Sequence, residues 1–458
     1  MDRNEAPVTE NKMGTMPVPK LLISMSLPIM ISMLVQALYN IVDSMFVARL
    51  NENALTAVSL AFPIQNLMIS VFSGTGVGMN ALLSRSLGEK NTERANNVAT
   101  HGVILAGASY LFFLVFGLLF SRIFYTMQTN DAQIIEYGRE YMIVCCVFSF
   151  GIAFQMTFER LLQSTGKTIY SMITQAVGAI INIILDPIMI FGLLGFPKMG
   201  VTGAALATVT GQIIAAVLGA YLNHMKNKEI HVSLKGFSWS GHVVSGIYSV
   251  GIPSIIMMSI GSVMTFGMNK ILIAFTSTAA AVFGVYFKIQ SFVFMPIFGM
   301  NNGLVPIIAY NYGARKSKRI KQAIFSGVVC AMAIMVAGFA VFQLCTKQLL
   351  AIFSASEYMV SIGVPALRII SISFLLAGFC IICSSVFQAM AHGFLSLIVS
   401  IVRQLIVLLP AAYILSKAGG LHAIWWAFPI AELFSFACSA YFLRRVIKNQ
   451  VNTLEENQ

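Results

Sequence analysis

The chain has 458 residues, of which 57% are hydrophobic and only 10% charged, against about 25% charged in an ordinary soluble domain. With a mean hydropathy of +0.81 it carries too little polar surface for a soluble globule and belongs in a membrane. Its net charge of +12 does not point to nucleic acid, because the Lys and Arg residues sort to one side of the apolar runs, as the positive-inside rule requires.

A spanning helix needs about 20 apolar residues to cross about 30 Å of hydrocarbon. Residues 1–20 are polar, with Asp2, Arg3, Glu5, Glu10 and Lys12, and lack the pattern of a cleaved secretory signal, so they read as a cytoplasmic leader before a retained span. The apolar runs then predict twelve spans: 21–48, 53–81, 97–121, 137–159, 168–194, 200–223, 244–274, 280–308, 322–345, 359–387, 395–416 and 422–443. Alternating ten-residue strands are absent, which excludes a β-barrel. Nineteen Lys and Arg fall on the side of the amino terminus against five on the other, placing both termini in the cytoplasm of a multi-pass plasma-membrane protein.

A shift of 225 residues superimposes Pro28 on Pro253, Gln65 on Gln290, Gly74 on Gly299, Gly78 on Gly303, Gly88 on Gly313, Arg94 on Arg319 and Gln163 on Gln388. The chain is therefore a duplication. Six spans per half is an even number, so the repeats are parallel, related by an axis along the membrane normal, with a cavity between them. The expected organisation is a leader (1–20), an amino lobe (21–224), a solvated cytoplasmic linker (225–243), a carboxy lobe (244–443) and a cytoplasmic tail (444–458). The glycine turns SLGEKNTERA and NYGARKSKRI sit at equivalent repeat positions, and neither is a phosphate-binding loop. Seven cysteines lie almost entirely within apolar runs and read as small hydrophobes, the Cys380/Cys383 pair included.

Ionisable residues inside spans are costly and are functional candidates. Asp43 in span one and Asp186 in span five share a depth, Asn182 lies one turn before Asp186, and Pro187 frees a backbone carbonyl beside them. Such an oxygen-rich site can load a proton or a sodium ion, and the residues do not choose between the two. The positions 225 residues later are Met268 and Ala411, so the site is one-sided. The second half instead carries Lys270, Lys288, Arg403 and Glu432, where an Arg403–Glu432 ion pair is the structural reading and a substrate contact the bolder one. The 26 methionines and 34 phenylalanines give weak support to an adaptable, broad substrate cavity.

The six-plus-six repeat, the opening SLPIMISMLVQALYNIVDSMFVARL, the segment SRSLGEKNTERA, the stretch NIILDPIMIFG and the following MGVTGAALATVTGQ together resemble the multidrug and toxic-compound extrusion (MATE) transporters over nearly the whole chain. The resemblance implies an all-α polytopic membrane protein of twelve transmembrane helices around a central cavity. It implies a secondary antiporter, not an enzyme, that expels organic cations and other amphiphiles in exchange for H+ or Na+, with no other cofactor. The expected partners are small-molecule substrates and the lipid bilayer, with no nucleic acid, and the chain is expected to be a monomer. Carried over by position, Asp43, Asn182 and Asp186 form the amino-lobe cation site and Thr208 is their partner. Tyr39 and Asn40 neighbour it, and Gln65, Lys288, Gln290 and Arg403 complete the candidates for the substrate cavity. The rivals are a lipid-linked oligosaccharide flippase, which needs a cationic cavity, and a membrane-embedded transferase, which needs clustered aspartates for magnesium that this sequence lacks.

Overall fold

The structure is a computed structural model and describes residues 10–50, 52–235 and 237–456; Asp2, Arg3 and Glu5 of the leader lie outside them. In the first half the helices are α1 (Val18–Ala48), α2 (Glu52–Gly88), α3 (Thr92–Thr126), α4 (Ala132–Val147), α5 (Phe150–Ser164), α6 (Thr168–Phe191) and α7 (Gly200–Lys226). The second half has α8 (Gly241–Ile273), α9 (Ser277–Gly313), α10 (Ser317–Leu344), α11 (Glu357–Ser371), α12 (Phe374–Ala389), α13 (Gly393–Ile424) and α14 (Ala427–Val446).

Among the described residues, nine helices are each long and apolar enough to cross a membrane, and the pairs α4/α5 and α11/α12 add two bent spans. The twelfth is α14, a 20-residue helix made less apolar by Glu432, Arg444 and Arg445. Twelve crossings of the expected all-α fold result. Several helices run past their expected ends, α2 to Gly88 and α9 to Gly313 for example. The helical backbone satisfies its own hydrogen bonds in lipid and in the headgroup layer alike, so a helix does not stop where hydrophobicity does.

Expected spans four and ten are each broken, by 43° between α4 and α5 and by 48° between α11 and α12. The two breaks fall at equivalent repeat positions. Neither contains proline; each is held by a serine hydroxyl turned back on the preceding turn, Ser149 to the Cys146 carbonyl (2.8 Å) and Ser373 to the Ile370 carbonyl (2.7 Å). A third irregularity is local to the second half: α13 contains a π turn at Val402–Leu408 and a kink at Gly420, where φ is +66°.

The duplication is realised as crossed packing. A Cβ on Gly88 would overlap the Tyr310 carbonyl oxygen, and one on Gly313 would overlap that of Arg85, the residue 225 positions before Tyr310. Gly74 closes on Ile255 and Gly299 on Met30, again a symmetric pair. Thus α2 packs against α8 and α9 against α1, each helix of one half seated on the other half through small residues that let backbones touch. One buried core joins Met13, Val18, Leu21, Leu22 and Met25 to the apolar interior of the second half, so α1 belongs by sequence to one half and by packing to both.

At the end of the bundle that bears the termini, residues 10–16 clasp the two halves. Asn11 donates to the Thr165 carbonyl (3.0 Å) in the first half and contacts Glu229 in the segment that links the halves. Asn311 and Arg319 donate to the Met13 carbonyl (3.0 Å each), Arg319 also to that of Met16 (2.7 Å), and Lys316 pairs with Glu10. That pairing holds the Glu10 carboxyl below its ordinary range. The segment expected as a solvated linker exposes its lysines but docks its backbone on α3: Ser240 N donates to His101 Nε2 (3.0 Å), whose ring lies against Phe237 and Trp239.

The crossed packing predicts that Gly78→Val, whose Cβ would overlap the Ile247 carbonyl, lowers the thermal midpoint in detergent strongly, since overpacking costs about 1–3 kcal/mol or more. Gly284→Ala, with no atom within 4 Å of the added methyl, leaves it unchanged. Equal midpoints for the two variants would contradict the interlock.

Candidate cation and substrate sites

On α1, Gln36, Tyr39, Asn40 and Asp43 follow one another at i, i+3, i+4 and i+7 and so share a helix face. On α6 the same logic aligns Gln175, Asn182 and Asp186, and on α7 Thr208 and Gln212. What brings α6 and α7 together is again small residues: a Cβ on Gly211 would overlap the Gly178 carbonyl and touch Asn182. At this distance Asn182 Nδ2 donates to Thr208 Oγ1 across 3.1 Å.

That bond uses the amide's nitrogen and leaves its oxygen. Asn182 Oδ1, Asp43 Oδ1 and both carboxylate oxygens of Asp186 are buried without a hydrogen-bond partner, and Asp186 is 0% exposed. Asp43 lies within electrostatic reach of Asp186. The set is therefore all acceptors, two of its members carboxylates, in a medium where an uncompensated charge is expensive. Oxygen acceptors of this kind suit a hard cation or a proton.

Asp43 opens onto a cavity of about 340 Å³ within the first half, walled in part by Tyr39, Asn40, Gln65, Tyr141 and Thr208. Gln65 is fixed there by donating to the Tyr141 hydroxyl at 2.9 Å. A smaller cavity of about 50 Å³ shares Gln36, Tyr39, Thr208 and Gln212 with it and continues past Asn182 to Glu159. The second half has a lateral cavity of about 140 Å³ lined by Gln290, Arg403 and Glu432, so Gln65 and its repeat partner Gln290 occupy corresponding places. Between the halves lies a space larger than these three, about 490 Å³, with walls from both.

Of the residues singled out in the sequence, Tyr39, Asn40, Asp43, Gln65 and Thr208 line the first cavity, Asn182 lines its smaller neighbour, and Asp186 is sealed behind them. Gln290 and Arg403 stand in the second half, where Arg403 meets Glu432 at 3.5 Å as an ion pair. Lys288 is displaced from the expectation: it lines none of these cavities, and its ammonium sits 5.9 Å from the Phe353 ring centre. Gln36, Gln175, Gln212 and Tyr141 were passed over, although glutamines one or two turns from Asp43, Asn182 and Thr208 in apolar spans were a readable signal. Gln175 and Gln36 bond to each other across α6 and α1 (2.9 Å).

The model of the MatE family matches residues 28–188 and again 253–414, two matches that begin 225 residues apart at the prolines that opened the repeat. The chain belongs to this family, the MATE transporters, and is a membrane transporter and not an enzyme. It is similar to the multidrug export protein MepA of Staphylococcus haemolyticus, 28% identical over 440 residues covering 94% of each chain. It is also similar to the FAD transporter of Shewanella oneidensis, 24% identical over 430 residues covering 94% of this chain and 95% of that one. A solved outward-facing multidrug resistance MATE family transporter of the MOP superfamily superimposes with a TM-score of 0.91 at 27% identity, covering 99% of this chain and 100% of the other.

Replacing Thr208 by Val strands the buried Asn182 amide donor, which costs about 1–3 kcal/mol, so the melting temperature in detergent falls; Thr208→Ser restores it. A Val variant as stable as the wild type would show that this bond does not orient Asn182.

Proposed function

We propose that the protein is a multidrug export antiporter of the plasma membrane, with both termini cytoplasmic, that moves amphiphilic compounds, organic cations among them, outward in exchange for H+ or Na+. The observation that carries this reading is the set of buried, unpartnered acceptor oxygens of Asp43, Asn182 and Asp186 beside a cavity walled by Tyr39 and Tyr141. A bound proton or sodium ion neutralises the carboxylates; an organic cation seated against Asp43 and the aromatic faces uses the same charge. The two occupants then exclude each other, and each favours a different conformation of the halves, which is what exchange by alternating access requires.

The driving force suffices. One charge moving through 100 mV releases about 2.3 kcal/mol, and each pH unit adds about 1.4 kcal/mol. Closure of the termini-bearing end by residues 10–16, together with the likeness to an outward-facing transporter, supports an outward-open state as the one described. A lipid-linked oligosaccharide flippase is less well supported, since the buried, unpartnered acceptor oxygens of Asp43, Asn182 and Asp186 would have no part in holding an anionic headgroup.

Ethidium efflux from proteoliposomes under an imposed pH gradient and, separately, an imposed sodium gradient tests the proposal. The wild type follows at least one gradient, and Asp43→Asn and Asp186→Asn each slow the gradient-driven rate at least tenfold. Efflux untouched in both variants would remove these carboxylates from the coupling.

A further inference from the structure

The segment that links the halves is held on α3 by a short ladder of side chains that bond to its backbone. Asn96 Oδ1 accepts from His231 N (2.7 Å) and Thr100 Oγ1 from Ser233 N (3.4 Å). Asn97 Nδ2 donates to the Ser238 carbonyl (3.5 Å), and His101 Nε2 accepts from Ser240 N (3.0 Å). The four residues form two adjacent i, i+4 pairs on one face of α3. Three of them never carry a charge. The fourth is an imidazole, the side chain whose charge ordinarily changes between pH 5 and 8.

The two hydrogen bonds of His101 fix its charge state. Nδ1 faces the Asn97 carbonyl at 2.8 Å, an oxygen that can only accept, so Nδ1 carries the ring proton. Nε2 faces a main-chain N–H, which can only donate, so Nε2 carries none. The ring is 0% exposed and lies against Phe237 and Trp239, with centroids 4.7 and 5.1 Å away. A proton added at Nε2 would set N–H against N–H at Ser240, and neither aromatic ring offers it an acceptor. The charged groups of the elements packed here are engaged elsewhere or exposed. Glu89 takes both Arg85 of α2 and Arg94 of α3 (2.9 Å each), and on α4 Glu136 takes Arg139 while Glu140 accepts from Thr202. On α5, Glu159 accepts from Gln155 and Thr174, and Arg160 donates to Gln163 and Ser73. Glu93 of α3, His231 and Lys235 of the linker and His242 of α8 are exposed, and Tyr248 of α8 packs with the apolar cluster around Val98 and Leu105.

We propose that His101 is a proton-sensitive latch: neutral, it ties the linker and the head of α8 to α3; protonated, it lets go and frees the termini-bearing end of the bundle to open. The mechanics follow from a second role of Ser240, whose hydroxyl oxygen accepts from Val243 N (3.4 Å) and so caps α8. Because α8 belongs to the second half and α3 to the first, the Ser240–His101 bond ties one half to the other, and a parting of α3 from α8 must break it. The same linker carries Glu229, which meets Lys167 at 3.5 Å and Asn11 of the clasp, so latch and clasp share one segment. The Glu10–Lys316 pair of the clasp keeps its charges across the imidazole range, since Lys316 holds the Glu10 carboxyl below its ordinary values. The sign is therefore set by the imidazole: the latch is closed at the higher pH and is lost as pH falls. On the reading above this end faces the cytoplasm, so cytoplasmic acidification favours its opening, whatever the substrate or the coupling ion.

The test is hydrogen–deuterium exchange of the full-length protein in detergent, read by mass spectrometry on peptides that contain Ser240 and corrected for the intrinsic pH dependence of amide exchange. Between pH 7.5 and 5.5 the corrected exchange of these peptides in the wild type rises at least tenfold, and peptides covering the clasp at 10–16 loosen over the same range. His101→Gln, whose amide can accept from Ser240 N and donate to the Asn97 carbonyl without ever charging, keeps the linker protected at both pH values. His101→Phe, which cannot accept, leaves it unprotected at both, while peptides from the core of α2 stay equally protected in every variant that folds. Wild-type protection that does not change with pH overturns the latch. A loss of protection that sets in only below pH 5 also overturns it, because a carboxylate would then be titrating; the wild type alone decides these two outcomes if a variant fails to fold. A folded His101→Gln variant that loosens with pH as the wild type does overturns it too. A linker that loosens while the clasp does not would overturn the role of His101 in opening this end. None of these readouts depends on transport, so a failure of the export reading and a failure of the latch are seen separately.

Discussion

A carboxylate that is 0% exposed and has no hydrogen-bond partner, Asp186, is the constraint around which the first half is arranged. An isolated charge in such a place costs far more than a single side chain can return through packing, which is why we propose that a mobile cation shares it. Everything nearby is consistent with that requirement. Thr208 takes the amide hydrogen of Asn182 and leaves the amide oxygen for the site; Asp43 adds a second acceptor group; and the glycines of α6 and α7 let the two helices close until these oxygens share one region. The repeat-equivalent positions in the second half, Met268 and Ala411, hold no charge, and that half balances its buried Glu432 with Arg403 instead. One half keeps an uncompensated acid and the other a compensated one.

The proposed cation site is not isolated from the rest of the bundle, because α1 serves both halves. Its face toward α6 carries Asp43 and Gln36, the latter bonded to Gln175, while its Met30 and Ser26 are wedged against Gly299 and Gly303 of α9. A change of charge at Asp43 therefore acts on a helix that cannot shift without disturbing the contact between halves. Backbone-to-backbone packing transmits such shifts because interdigitated interfaces have few intermediate arrangements. The clasp of residues 10–16 closes one end of this interface with hydrogen bonds from Asn11, Asn311 and Arg319, which must be released before that end can open.

Much of this was legible in the sequence, because the features concerned are expensive. Charges at Asp43, Asp186, Arg403 and Glu432 stand out against apolar runs, and the 225-residue offset is preserved by glycines that crossed packing requires. The less legible features are cheap or cooperative. Gln36, Gln175 and Gln212 carry no charge and so raised no alarm, although they line the cavities beside Asn182 and Thr208. The breaks at Ser149 and Ser373 need only one side-chain hydrogen bond apiece, with neither proline nor a loss of hydrophobicity to announce them. Lys288 is a cavity candidate as a charge within a span, but position within a span does not fix which face of α9 it leaves from, and it turns to Phe353. That Glu159 and Arg160, neighbours in sequence, reach different cavities while Arg403 and Glu432 share one is information that exists only once the helices are packed.

The central claim is that a small cation and an organic cation compete for the same carboxylates, and equilibrium binding tests it most directly. The affinity of the purified wild-type protein for ethidium, followed by fluorescence anisotropy while pH is lowered and, in a separate series, sodium is raised at constant ionic strength, reports that competition. The account predicts that at least one of the two titrations weakens ethidium binding progressively, and that the dependence disappears in Asp43→Asn/Asp186→Asn. Ethidium affinity indifferent to both proton and sodium concentration in the wild type would contradict it.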